Sequence, residues 1–203
     1  MRHLAFYSIA AMLVLTGCTT QGNKKPLTEA ESRQYAESGK LIVKTTFEVL
    51  SGHLSQALAR GGVSEAVTYC NLRAYPLVDS LSGEYNARIK RATIWVRNAD
   101  NKADADEEMV LKEYAALKSG QKPMKPIVRR KDNGDVAFYM PIQITTPLCL
   151  NCHGDVGTDI TAADYNIIKK LYPNDNATGH SMEDLRGIWS ITFFEKQPIG
   201  KEF

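Results

Sequence analysis

The sequence has almost no excess of charge. There are 25 Lys and Arg against 23 Asp and Glu, and no Lys/Arg stripe interleaved with aromatics, so nothing points to a nucleic-acid partner. No hydrophobic run is long enough for a permanent membrane span: the longest, Leu4 to Leu15, falls well short of about 20 residues. Internal repeats and low-complexity segments are absent. No acid/base pair can be named, so no enzyme activity is expected. Cysteine and histidine are scarce, four of each in 203 residues, which makes their one ordered cluster hard to assign to chance. The rest is ordinary. Hydrophobic content of 43% and charged content of 24% suit one soluble domain with a real core, preceded by a leader.

The cluster is Cys149-Leu150-Asn151-Cys152-His153-Gly154. Cys-x-x-Cys-His is the attachment pattern of c-type haem. Thiols three residues apart share one helical turn and can form two thioethers along a single porphyrin edge, while the following imidazole turns under the ring to the iron. Cys149 and Cys152 would be the tethers, His153 the proximal ligand, and one covalent haem c the cofactor. A Cys149–Cys152 disulfide or half of a zinc site would use the same cysteines, but neither requires the histidine.

Residues 1–17 form an export leader, with Arg2 and His3 ahead of the apolar run. Removing them takes one basic and no acidic residue, so the mature charge drops from +2 to +1. Leu15-Thr16-Gly17-Cys18 resembles a bacterial lipobox. That resemblance implies acylation of Cys18 and, with Thr19 following, a place on the periplasmic side of the outer membrane. Several acyl chains would anchor the protein durably in lipid. Residues 18–27 read as a flexible tether and residues 28–203 as the domain.

Thr28-Glu29-Ala30-Glu31 is a capping box opening a long helix, with Val43, Phe47, Leu50, Leu54, Ala57 and Leu58 on one stripe and Gly61-Gly62 as its stop. His53 lies beside that stripe and reads as a surface or packing residue. Ser64 caps a second helix that turns Cys70 inward, and Pro76 and Gly83 break and close the segment. An inward cysteine is an inert small hydrophobe or, if haem is present, a second axial ligand. Arg88 to Arg97 reads as a strand, Asp104 as the cap of a helix over 105–118 with Met109, Tyr114 and Leu117 inward, and 127–131 with 136–144 as an Asn-Gly hairpin whose Pro141 marks an edge or a bulge. Thr161 and Asp164 start another helix, His180 sits in an exposed loop, and Arg186 to Phe193 is a closing strand. The expected class is α+β, an antiparallel sheet with a long N-terminal helical region.

Ala66-Val67-Thr68-Tyr69-Cys70-Asn71, Arg91 through Asn98, the Cys-x-x-Cys-His and Asp184-Leu185-Arg186-Gly187 together resemble the bacterial c-type haem family with a PAS-like domain, long catalogued as a domain of unknown function. The resemblance implies a PAS-like sheet and iron held by His153 and Cys70. Where the family usually has proline after Arg-Asn, this chain has Ala99. The function expected is a lipid-anchored redox or small-ligand sensor with a separate signalling partner. The alternatives are a periplasmic electron-transfer cytochrome, or a haem-free lipoprotein with a dithiol or a structural zinc site. Arg73, Arg91 and Arg97 are candidate propionate ligands among which spacing cannot choose.

Overall fold

In the computed structural model, residues 25–195 are described; Cys18, the leader and most of the tether lie outside them. Helix α1 (Glu29–Leu72) begins at the expected capping box, with Thr28 and Glu31 satisfying each other's backbone N–H groups. Gly61 and Gly62 leave helical geometry, Gly62 at φ +63°, but the helix resumes directly after them, so the pair is a kink and not a stop. Phe47, placed on the buried stripe from sequence, is exposed. Helix α2 (Ala74–Tyr85) follows a break at Arg73 and runs through Gly83 to a left-handed Asn86.

Strand β1 (Ala87–Ala92) ends earlier than expected, because Thr93 turns away to bridge Lys102. A 3-10 turn at Ala99–Asn101 leads to α3 (Ala105–Ser119), which opens on a capping box of Asp104 and Glu107. Met109 is exposed, and Val110, Leu111 and Tyr114 supply the buried side instead. Strands β2 (Ile127–Arg130) and β3 (Val136–Gln143) form the hairpin; helices α4 (Pro147–His153) and α5 (Ala162–Leu171) and strand β4 (Leu185–Phe193) complete the chain.

The sheet is antiparallel in the order β1-β4-β3-β2. Pro141 is therefore not on an edge strand. Strand β2 pairs only as far as Ile127 with Tyr139, so Pro141 has β4 alone as neighbour, and the register slips between Ile142 and Gln143. Side chains alternate across the sheet. Phe138, Trp189, Ile191 and Phe193 pack under α1 and α2, while Ala137, Tyr139 and Ile188 pack on α3. With both faces covered, β4 is buried almost throughout and its run is apolar without interruption. No described helix is long and apolar enough to cross a membrane.

Helix α1 touches the sheet closely at Gly39, where an added Cβ would come within 2.6 Å of the Phe138 ring. Phe138 is fully buried and cannot retreat. Gly39→Ala should therefore lower stability by about 1–3 kcal/mol, read from the urea midpoint. Gly52→Ala, on the same helix but facing open space, should raise it by about 0.5–1 kcal/mol.

The antiparallel register brings the C-terminal ends of β1 and β3 and the N-terminal end of β4 to one end of the sheet, with Ala92 opposite Ile188 and Gln143 opposite Leu185. Helix α4 starts there.

Candidate functional site

Helix α4 holds the Cys-x-x-Cys-His as two turns of helix. Thr146 enters in extended geometry and Pro147, whose fixed φ suits the first helical position, follows it. Cys149, Cys152 and His153 then share a face at i, i+3 and i+4. Gly154 ends the helix, and a Cβ there would collide with the Asp159 side chain.

The last carbonyls of such a short helix have no partners of their own. Three distant groups supply them. Arg97 Nη2 donates to the Cys152 carbonyl at 2.7 Å, the His180 N–H to that of His153 at 2.8 Å, and the Gly179 N–H to that of Gly154 at 2.9 Å. Arg97 is fixed in turn by Asp175, whose side chain is wholly buried, at 2.7 Å.

The same loop orients His153. Its Nδ1 lies 2.8 Å from the Ala177 carbonyl oxygen, and a carbonyl can only accept, so the proton is on Nδ1. The Arg186 Nε at 3.4 Å then faces an N–H and makes no real hydrogen bond; it is a close cation beside a neutral ring. Burial, followed by the charges of Arg186 and Arg97, holds His153 well below the usual histidine range. Its Nε2 keeps a lone pair and has no partner among the described residues, which is the state a metal-binding imidazole requires.

Cys149 and Cys152 are both free thiols. Cys152 packs against the cluster of Val67, Ile160, Ile168 and Tyr172, which joins the end of α1 to α5. Burial pushes its thiol up to about 11. Cys70 reaches the same junction: it interacts electrostatically with Cys152, burial raises its pKa, and Arg91 and Arg97 oppose that rise. In the metal-free chain their surroundings thus favour the neutral thiol over the thiolate. Among the described residues no three His, Cys, Asp or Glu side chains gather as a metal-holding group. Zinc on protein side chains alone would need such a group, whereas iron inside a porphyrin needs only one or two protein ligands. Each segment meeting here also exposes one large apolar side chain, Leu72, Ile94 and Leu148, surface that a flat apolar macrocycle could cover. A cleft of about 280 Å³ lies alongside, lined in part by Asn71, Arg97 and Tyr172, but does not include the motif residues.

His180 corrects the sequence reading. It is buried, packing edge-on against Trp95 at 5.4 Å and against His153 at 6.3 Å, and its Nε2 has no partner. His53 is exposed and stacks on Tyr69, as a packing residue would. Sequence reasoning also gave no role to Asp175, to Arg186 or to the Ala177 carbonyl. Asp175 sits in a loop marked only by its turn-forming composition, Arg186 in the Asp-Leu-Arg-Gly pattern that gave it no role, and a backbone carbonyl leaves no signal at all.

Asp184 steadies this loop, accepting from Lys118 Nζ and from the Ser181 N–H, each at 2.8 Å. The Lys118 hydrogen bond and then the Ser181 one lower its pKa. A depressed carboxylate stabilises the fold above its unfolded pKa, and the gain disappears as pH falls through the folded value. Asp184→Asn should therefore cost about 0.5–1 kcal/mol at pH 7, the small size reflecting solvent screening, and nothing near pH 2. Urea titrations at the two pH values measure this.

A family model described as Tll0287-like matches residues 24–193. Among solved structures, the cyanobacterial haem protein Tll0287 is similar at a TM-score of 0.57 and 22% identity, covering 80% of this chain and 97% of that one. At that identity the likeness concerns the fold. No curated protein is significantly similar in sequence.

Proposed function

The chain belongs to the Tll0287-like family, and from that premise we propose that it is an exported, lipid-anchored monohaem protein of the c type, with iron held between His153 and Cys70. The observation that carries this reading is His153: a neutral imidazole locked by the Ala177 carbonyl, with Nε2 left open, one residue after two free thiols on the same helical face. The solved relative being a haem protein supports it.

When bound, the haem supplies one-electron chemistry and, if a protein ligand leaves, a site for a small diatomic molecule. This chain's own residues set the terms. Cys149 and Cys152 would hold the ring through thioethers, and His153 would offer iron its Nε2, because the Ala177 carbonyl fixes the proton on Nδ1. Cys70, reaching the junction from α1, would be the second ligand, and as an anionic thiolate it would favour ferric over ferrous iron. Cys18 would carry the lipid at the far end of the tether, on the periplasmic side of a bacterial membrane.

With His153 and Cys70 as the proposed ligands, the physiological role would turn on whether Cys70 stays. Release on reduction makes the protein a PAS-like redox or ligand sensor working through a separate signalling partner; retention in both states makes it an electron carrier. Protein matured in a haem-attaching host should be coloured, and its haem stain should stay with the chain on a denaturing gel. A colourless chain after such maturation overturns the haem reading and leaves the dithiol lipoprotein. Carbon monoxide added to reduced protein should shift the spectrum if Cys70 leaves. Reversible voltammetry with no ligand loss would instead support the carrier.

A further inference from the structure

Three arginines lie around the site, and among the described residues only one of them has a carboxylate within ion-pair distance. Arg97 is paired with Asp175. Asp184 is taken by Lys118 and the Ser181 N–H, Asp164 by the Thr161 hydroxyl, and Asp159 by the Asp155 N–H. Arg186 and Arg91 are left. Arg186 Nη1 donates only to the Thr93 hydroxyl, at 2.8 Å, and among the described residues no carboxylate comes within ion-pair distance of either guanidinium. Both side chains are half-buried. Arg91 faces Cys70 and Tyr172, and Arg186 faces His153. The result is two guanidiniums without an ion-pair partner among the described residues, partly withdrawn from water, beside the Cys-x-x-Cys-His. Unpaired charge in such a place is costly unless an anion completes it.

We propose that Arg91 and Arg186 are the receivers of the two carboxylates of the bound tetrapyrrole, so that the site recognises the anionic end of its ligand as well as its metal and its vinyl edge. The proposal rests on the haem reading and deepens it. Charge supports it: ferric porphyrin with a thiolate on iron is neutral at its centre, and two ionised propionates then match two unpaired guanidiniums. Of the three arginines that spacing offered, Arg97 is already engaged and Arg73 is exposed. Arg186 takes the second position. Guanidinium is suited to the task, since its fork matches a carboxylate in two-point geometry.

The test uses the full chain isolated without haem, thiols reduced, titrated with ferric protoporphyrin IX and separately with its dimethyl ester. Both present the same iron to His153 and Cys70 and differ only in the carboxylates. The wild type should bind the free acid at least tenfold more tightly. Arg91→Gln and Arg186→Gln should each reduce that preference, and the double variant should abolish it, with affinity for the ester unchanged throughout. Arg88→Gln, an exposed position on the same strand, should keep it. Equal affinity of the wild type for acid and ester overturns the proposal, as does a preference that survives in the double variant. Failure of the wild type to bind either porphyrin overturns the proposal, and overturns the haem reading itself only when the chain also stays colourless after maturation in a haem-attaching host. If Arg186→Gln does not fold, seen as lost helical dichroism and lost ester binding, Arg91→Gln and the charge-preserving Arg186→Lys decide: the first must weaken the preference and the second retain it.

Discussion

Replacing Arg97 with leucine is expected to lower folding stability by about 3–5 kcal/mol, a large share of the roughly 5–15 kcal/mol that holds an ordinary domain together. The size of the effect comes from what remains behind. Asp175 is fully buried and Arg97 nearly so, so removing the guanidinium strands a carboxylate away from water. The Cys152 carbonyl loses its partner in the same step, and with it goes the tie between helix α4 and the loop that carries Ala177 and His180. Urea unfolding of the variant measures the loss. Arg97→Leu with Asp175→Leu should recover a large part of it, because two apolar side chains strand no charge. If the double variant is as unstable as the single one, the pair is not the source. Haem stain gives a second readout: attachment through Cys149 and Cys152, as proposed above, would not depend on Arg97, so the haem should stay with the chain.

Cys70→Ala carries the largest spectroscopic expectation. On the ligation proposed above, the matured variant should keep haem attached to the chain, change from a six-coordinate low-spin spectrum to one with an exchangeable position, and bind one equivalent of carbon monoxide when reduced. Its reduction potential should rise, because the anionic ligand that favours ferric iron is missing. The fold should tolerate the change, since the side chain shrinks only slightly at a half-buried position. A Cys70→Ala variant with the wild-type spectrum would remove the cysteine from the iron. The Cys152→Ala variant gives the opposite pattern, with attachment weakened and axial ligation retained.

Much of the architecture was legible in local chemistry. The capping boxes at Thr28 and Asp104, the Asn-Gly hairpin and the Thr161 cap each close within four residues, so propensity and spacing are enough to read them. Phe47 and Met109 were misplaced because helical periodicity gives a stripe but not its width, and the sheet lies to one side of each. His180 was misread for a related reason. Its Gly/Ser-flanked loop looks solvated until Trp95 and His153, distant in sequence, are seen to close over it.

What the sequence determined by itself is the identity and order of the reactive groups: two thiols and an imidazole on one helical face. That follows from covalent spacing and needs no partner. Which nitrogen of the imidazole carries the proton and which arginines remain unpaired were decided only when the segment after β1, the end of α1 and the loop from Pro173 to Glu183 converged on helix α4. Hydrogen-bond direction and ion pairing depend on groups up to 93 residues apart along the chain, and no local pattern encodes a neighbour that only folding supplies.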